Sequence, residues 1–123
     1  MGYYTYFNLK IVDEKDKELD KPKIIKKVRD MFESASWALD EDGDPEDNCK
    51  WYDWEKDMLE VSKEFPKNIF RLSGDGEESD DKWIAYIING KIQHCPVNIS
   101  YDPLDLSKII TKKFKPRTLN IEK

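Results

Sequence analysis

Lys82-Trp83-Ile84-Ala85-Tyr86-Ile87-Ile88-Asn89-Gly90-Lys91-Ile92-Gln93-His94-Cys95 is the stretch that decides the fold. Two runs rich in β-branched and aromatic residues flank an Asn-Gly pair. A type I′ turn needs positive φ at both central positions, which Asn and Gly tolerate. The stretch is therefore expected to form an antiparallel hairpin, Lys82 to Ile88 against Lys91 to Ile99. Ile69 to Leu72 reads as a preceding strand, joined to the hairpin through a polar turn from Ser73 to Asp81.

Upstream, Tyr3 to Val12 alternates, with Phe7, Leu9 and Ile11 on one face and Tyr4, Tyr6, Asn8 and Lys10 on the other, which predicts a first strand. Asp20 can cap and Pro22 suits a first helical turn. Ile24, Ile25, Val28, Met31, Phe32 and Ala35 then recur at helical spacing, predicting a helix from about Lys21 to Ser34 or a little beyond. Asp40 to Asn48 reads as a solvated loop, and a short strand is expected around Cys49 to Tyr52. Asp53 stands where a helix N-cap would, and Trp54, Met58, Val61 and Phe65 form one apolar stripe that ends at Pro66. The expected order is β-α-β-α-β-β-β. That is an α+β fold with a mostly antiparallel sheet and two helices on one face, over a core of Phe7, Leu9, Ile11, Ile25, Val28, Phe32, Met58, Val61, Phe65, Phe70 and Leu72. Residues 1–103 make one domain on this reading. Residues 104–123 make a basic tail, with a short helix about Ile109, Ile110 and Phe114.

A chain of 123 residues has room for one core, and with four Trp, five Phe and six Tyr it is too aromatic to be disordered. The longest apolar stretch, Trp83 to Ile88, is far shorter than a membrane span, and no charged-then-apolar leader follows Met1. A cytoplasmic protein is expected. Cys49 and Cys95 have no CxxC spacing and His94 is the only histidine, too few ligands for zinc, so both cysteines are expected to be reduced packing residues. Charge is uneven: residues 31–81 hold 17 acids against 5 bases, and the flanks hold 16 bases against 9 acids. Such a field favours a basic partner and repels a nucleic-acid backbone from the acidic side.

The loop Asp40-Glu41-Asp42-Gly43-Asp44-Pro45-Glu46-Asp47 invites a calcium reading. Its glycine falls at the fourth position rather than the sixth, and Trp51 stands where an EF-hand needs glutamate, so no metal is expected there. Ser73-Gly74-Asp75-Gly76-Glu77-Glu78 has the glycines of a phosphate cradle but carboxylates that repel phosphate. Paired acids such as Asp75 with Glu77, or Asp80 with Asp81, have no nucleophile or electrophilic helper beside them in the sequence. His94 and Cys95, adjacent on a strand, point to opposite faces and cannot pair. Trp51, Tyr52, Trp54 and Trp83 suit core packing, though sheet aromatics also stack bases in RNA-binding folds. No cofactor and no catalytic activity are expected.

Trp51 to Met58, Ser62 to Pro66, Ser73 to Glu78 with Asp81, Trp83, Asn89-Gly90-Lys91 and Gln93, and the opening Gly2-Tyr3-Tyr4-Thr5 together resemble a family of small proteins encoded by bacteriophages and prophages. The likeness covers residues 1 to about 103. It implies a ferredoxin-like sandwich and a place in an infected bacterial cytoplasm, and it brings no catalytic residues. Phage accessory proteins of this kind often bind a host or defence protein. The expectation is thus an inhibitor, of anti-CRISPR or other anti-defence type. It would contact a basic surface through Asp40, Glu41, Asp42, Asp44, Glu46, Asp47, Asp75, Glu77, Glu78, Asp80 and Asp81. The alternative is a nucleic-acid or nucleotide-binding module that uses Tyr4 and Tyr6, or Trp83, on an open sheet face and grips phosphate with the basic tail.

Overall fold

Alternation in the first strand does what the sequence predicts: β1 (Thr5–Val12) buries Thr5, Phe7, Leu9 and Ile11 along one face. The computed structural model describes residues 3–78, 80–97, 103–109 and 111. After β1 the chain turns through Asp16, at φ 64, into the two-residue strand β2 (Glu18–Leu19). Helices α1 (Pro22–Met31), α2 (Glu33–Ala38) and α3 (Trp54–Ser62) follow, then strands β3 (Ile69–Gly76), β4 (Lys82–Ile88) and β5 (Lys91–Pro96). The sheet runs β2-β1-β3-β4-β5, and every neighbouring pair is antiparallel. The Asn89-Gly90 hairpin has both residues at positive φ, 45 and 75, as a type I′ turn requires.

The α+β class and the antiparallel sheet are as expected; several elements differ. Val12 pairs with Ile69, so β1 ends where β3 begins. The helices therefore join antiparallel neighbours at one end of the sheet and make no parallel crossover. The strand expected at Cys49 to Tyr52 is reduced to a single bridge between Thr5 and Cys49. The first helix stops at Met31, because Phe32 takes extended backbone (φ −130, ψ 122) and α2 restarts behind it. Asp53 precedes α3 without a side-chain capping bond. Ser73 to Gly76, expected as a turn, continues β3: Gly74 lies opposite Trp83, and a Cβ there would sit 2.3 Å from the indole. That glycine makes room for an aromatic ring across the strands. Among the described residues the tail beyond Pro103 has one 3-10 turn, Leu106–Lys108; Ile110, Phe114, Lys112, Lys113, Lys115 and Arg117, and with them most of the expected short helix, lie outside the described residues.

One face of the sheet carries the core. Phe7, Leu9, Ile11, Phe70, Leu72, Ala85 and Ile87 meet Ile25, Val28, Ala35, Ala38, Leu39, Met58 and Val61 from the helical layer, with Phe32 and Phe65 partly buried against them. Trp51 joins this core from a loop. It is 2% exposed, edge-on to Phe7 at 5.2 Å, and its indole N–H donates to Asp57 at 2.8 Å. The other face has no helix over it among the described residues, and this positions the candidate site.

Candidate functional site

Strand register fixes what the open face presents, since residues directly opposite share a face. Tyr6 lies beside Asp75 and Asp75 beside Lys82; Asn8 beside Ser73, Ile84 and Cys95; Lys10 beside Arg71, Tyr86 and Gln93. The cations in the third row are already partnered. Lys10 Nζ is 2.7 Å from an Asp44 carboxylate oxygen, and Arg71 reaches Asp16 at 3.1 Å and Glu18 at 3.2 Å. The Tyr86 hydroxyl donates to the other Asp16 oxygen at 2.9 Å. Burial first, and then this bond to a carboxylate, hold the Tyr86 phenol above its ordinary pKa.

The acidic loop is not the free, solvated segment expected. It lies along the outer edge of β1, where the Leu9 N–H donates to the Gly43 carbonyl at 2.7 Å and Thr5 and Cys49 exchange backbone bonds at 3.0 and 2.9 Å. The Asp40 carboxylate accepts the N–H groups of Asp42 and Asp44, at 2.8 and 3.0 Å, and closes the turn. Lys10 also donates to the Asp42 carbonyl at 3.0 Å. Asp40, Asp42 and Asp44 thus bring carboxylate oxygens within 4.8 Å of one another. Internal N–H donors and the Lys10 ammonium meet that charge at Asp40 and Asp44. Glu41, Asp42, Glu46 and Asp47 point their side chains to solvent.

The second acidic segment is divided in the same way. Asp75 is exposed on β3 in the open face, not in a turn. Glu77 accepts the Tyr4 N–H at 3.0 Å, Asp81 accepts the Tyr3 hydroxyl at 2.6 Å, and the Glu78 N–H donates to the Tyr3 oxygen at 3.2 Å. These bonds tie residues 3–4 to the β3–β4 turn, while Asp80 stays exposed. The bond to Asp81 is the main reason the Tyr3 phenol sits above its ordinary value of 10.0. Here the neutral phenol is the favoured form, so the tie is fully present below that value and is lost as pH rises through the raised one. Spectrophotometric titration of Asp81→Asn is expected to bring one tyrosine back down toward 10.0. A titration curve identical to that of the unsubstituted chain would contradict the bond.

A groove of about 640 Å³ links the two acidic segments. Tyr6, Asn8, Ser73, Ile84, Cys95 and Val97 line it, Pro45 stands at one wall between Asp44 and Glu46, and Asp75 and Lys82 lie in the same cross-strand row as Tyr6. Register, not sequence proximity, assembles this groove, which is why the composition of either acidic segment alone did not reveal it. Tyr6 is 48% exposed, whereas Trp83 stacks on Trp54 at 4.3 Å and Lys50 sits over the Tyr4 ring at 5.0 Å.

His94 and Cys95 do face opposite sides: His94 meets Glu55 at 3.2 Å beside Trp54, and Cys95 faces the groove. Cys49 is half-buried with its thiol directed at the Ser34 carbonyl, and burial raises its pKa, which disfavours the reactive thiolate. Among the described residues no helix is long and apolar enough to cross a membrane. No protein-family model, curated protein or solved structure shows a significant match to this chain.

Proposed function

We propose that this chain is a binding protein that engages a basic protein surface through the open sheet face and its acidic margins. The observation that carries this reading is the charge arrangement around the groove. Lys10 and Arg71 are neutralised in place by Asp44, Asp16 and Glu18, while Asp75, beside Lys82 on the floor, and Glu46, next to Pro45 at the wall, remain exposed, and Glu41 and Asp42 extend the acidic margin along the outer side of the loop. Uncommitted carboxylates around a partly apolar floor steer and orient a cationic partner. The same arrangement disfavours the nucleic-acid alternative, although exposed Tyr6 on the sheet is the feature that reading would use. The narrower reading, a bacteriophage anti-defence inhibitor acting in the host cytoplasm, rests on the sequence resemblance. So does the ferredoxin-like name, supported by helices on one face of an antiparallel sheet; the absence of a parallel crossover departs from it.

The test uses acids that hold nothing together. Glu41→Gln, Asp42→Asn, Glu46→Gln and Asp75→Asn combined are expected to leave the melting temperature within a few degrees and to cut capture of a bacterial partner by about tenfold or more. Capture by the unsubstituted chain should fall as salt shortens the Debye length. Asp40 and Asp44 are left out because they close the loop. Unchanged capture by the variant would overturn the reading. So would tighter binding of short single-stranded RNA with no partner captured, which would favour the nucleic-acid alternative.

A further inference from the structure

At the other end of the open face, beyond the row of Lys10, Arg71 and Tyr86, lies a second concavity of about 450 Å³. We propose that it receives an arginine side chain from a protein partner, with the alkyl stem on an apolar floor and the guanidinium against carboxylates of the β1–β2 turn. This deepens the binding reading above and rests on it for the partner.

The floor is made by Val12, Ile69, Ile88 and the Tyr86 ring. Val12 and Ile69 are direct cross-strand neighbours, and Ile88, 38% exposed, ends β4 beside Lys91. One wall is acidic, formed by Asp13, Glu14 and Asp16, with Lys91 the cation among the lining residues. The wall is held in place. One Asp13 oxygen accepts the N–H groups of Lys15 and Lys17, at 2.8 and 2.9 Å, and Asp16 is fixed by Arg71 and Tyr86. The second Asp13 oxygen and both oxygens of the Glu14 carboxylate have no hydrogen-bond partner among the described residues, so three acceptor oxygens are free beside an apolar surface. Lys15 and Lys17 belong to the same turn but do not line the concavity.

That pairing of surfaces selects the guest. An apolar side chain would leave the carboxylates unused, and an anion would be repelled by them. A guanidinium on a three-carbon stem satisfies both, because it is weakly hydrated, planar and able to pair with carboxylate through two N–H groups. Arg71 cannot fill the role itself, since its guanidinium is already held by Asp16 and Glu18.

Butylguanidinium is the probe, with 1-pentanol as the neutral control, titrated into the isotopically labelled full chain and followed by amide chemical shifts. Saturable shifts at Glu14, Ile69 and Ile88, in the millimolar range, are expected for the cation and not for the alcohol. Asp13→Asn with Glu14→Gln, which keeps an oxygen acceptor for the turn, should weaken binding by at least about fivefold while leaving the rest of the spectrum in place. Equal binding of alcohol and cation, shifts confined to other surfaces, or an unaffected double variant would each overturn the proposal. The two readings fail separately. Acid-dependent capture of a partner without saturable shifts at these amides rejects the arginine site alone. Saturable binding of the probe without acid-dependent capture keeps the guanidinium site and rejects the binding function.

Discussion

Gly43→Ala is expected to destabilise the chain by about 3–4 kcal/mol, through strain and a lost hydrogen bond acting together. Gly43 sits at φ 83, and a Cβ added there would lie 2.0 Å from the Leu9 carbonyl oxygen. The left-handed conformation alone costs an alanine about 1–2 kcal/mol. The clash is with backbone, so no side-chain rotamer relieves it. Moving residue 43 away breaks the 2.7 Å bond from the Leu9 N–H, and Leu9 is fully buried in the middle of β1. Leaving such a donor unsatisfied adds about 1–3 kcal/mol. Against a total of about 5–15 kcal/mol for a domain, the loss is large, and the melting temperature should fall by about 10 °C or more. Chemical denaturation of Gly43→Ala beside Asp42→Ala measures it, since the neighbouring exposed position should change stability by about 0.5 kcal/mol or less. Equal stability of the two variants would mean that the loop does not clasp β1.

Replacing Trp51 with alanine should cost about 3–5 kcal/mol, the range for deleting a large buried ring. The residue has no regular secondary structure of its own, yet it is buried to 2% between β1 and α3 and stands edge-on to Phe7. Its removal opens a cavity and strands the Asp57 carboxylate that accepts its indole N–H. Trp51→Phe separates these contributions. It keeps most of the ring and loses the hydrogen bond, so it should cost about 1–2 kcal/mol, with the remainder assigned to the cavity. Denaturation midpoints of the three proteins settle the order. If alanine costs no more than phenylalanine, Trp51 does not anchor the helical layer.

What the sequence revealed and what it hid divide along physical lines. Phe7, Leu9 and Ile11 alternate, Met58 and Val61 repeat at helical spacing, and Asn89-Gly90 dictates its own turn; these signals are local and were legible. The strand β2 is two residues inside a charged run and leaves no periodic trace. Gly74 looked like a turn residue because its purpose, space for Trp83, lies on another strand. The acidic loop was found as a composition. Its attachment to β1 is made by backbone N–H and C=O groups, which have no side-chain signature, and by Lys10, whose partner Asp44 is 34 residues away in the chain. Asp40, Glu77 and Asp81 therefore looked like the same free charge as Glu41 and Asp80, although hydrogen bonds give the first three structural work. The groove and the second concavity needed the register, which no single segment encodes.

The loop along β1 also sets a limit on how chains can join. A sheet grows by adding strands to exposed edges, and fibres need two such edges on every unit. In this molecule one side is closed by residues 43–49 and by a two-residue β2 that carries Glu18, whereas β5 offers six residues between Lys91 and Pro96. Among the described residues a single long edge is left. Two chains that met through β5 would use up each other's edge, so strand-mediated association stops at a pair and does not propagate. Loosening residue 43 uncovers only the middle of β1, between the Thr5–Cys49 bridge and β2, and Gly43→Ala is expected to form assemblies larger than a pair in sedimentation velocity where the unsubstituted chain does not.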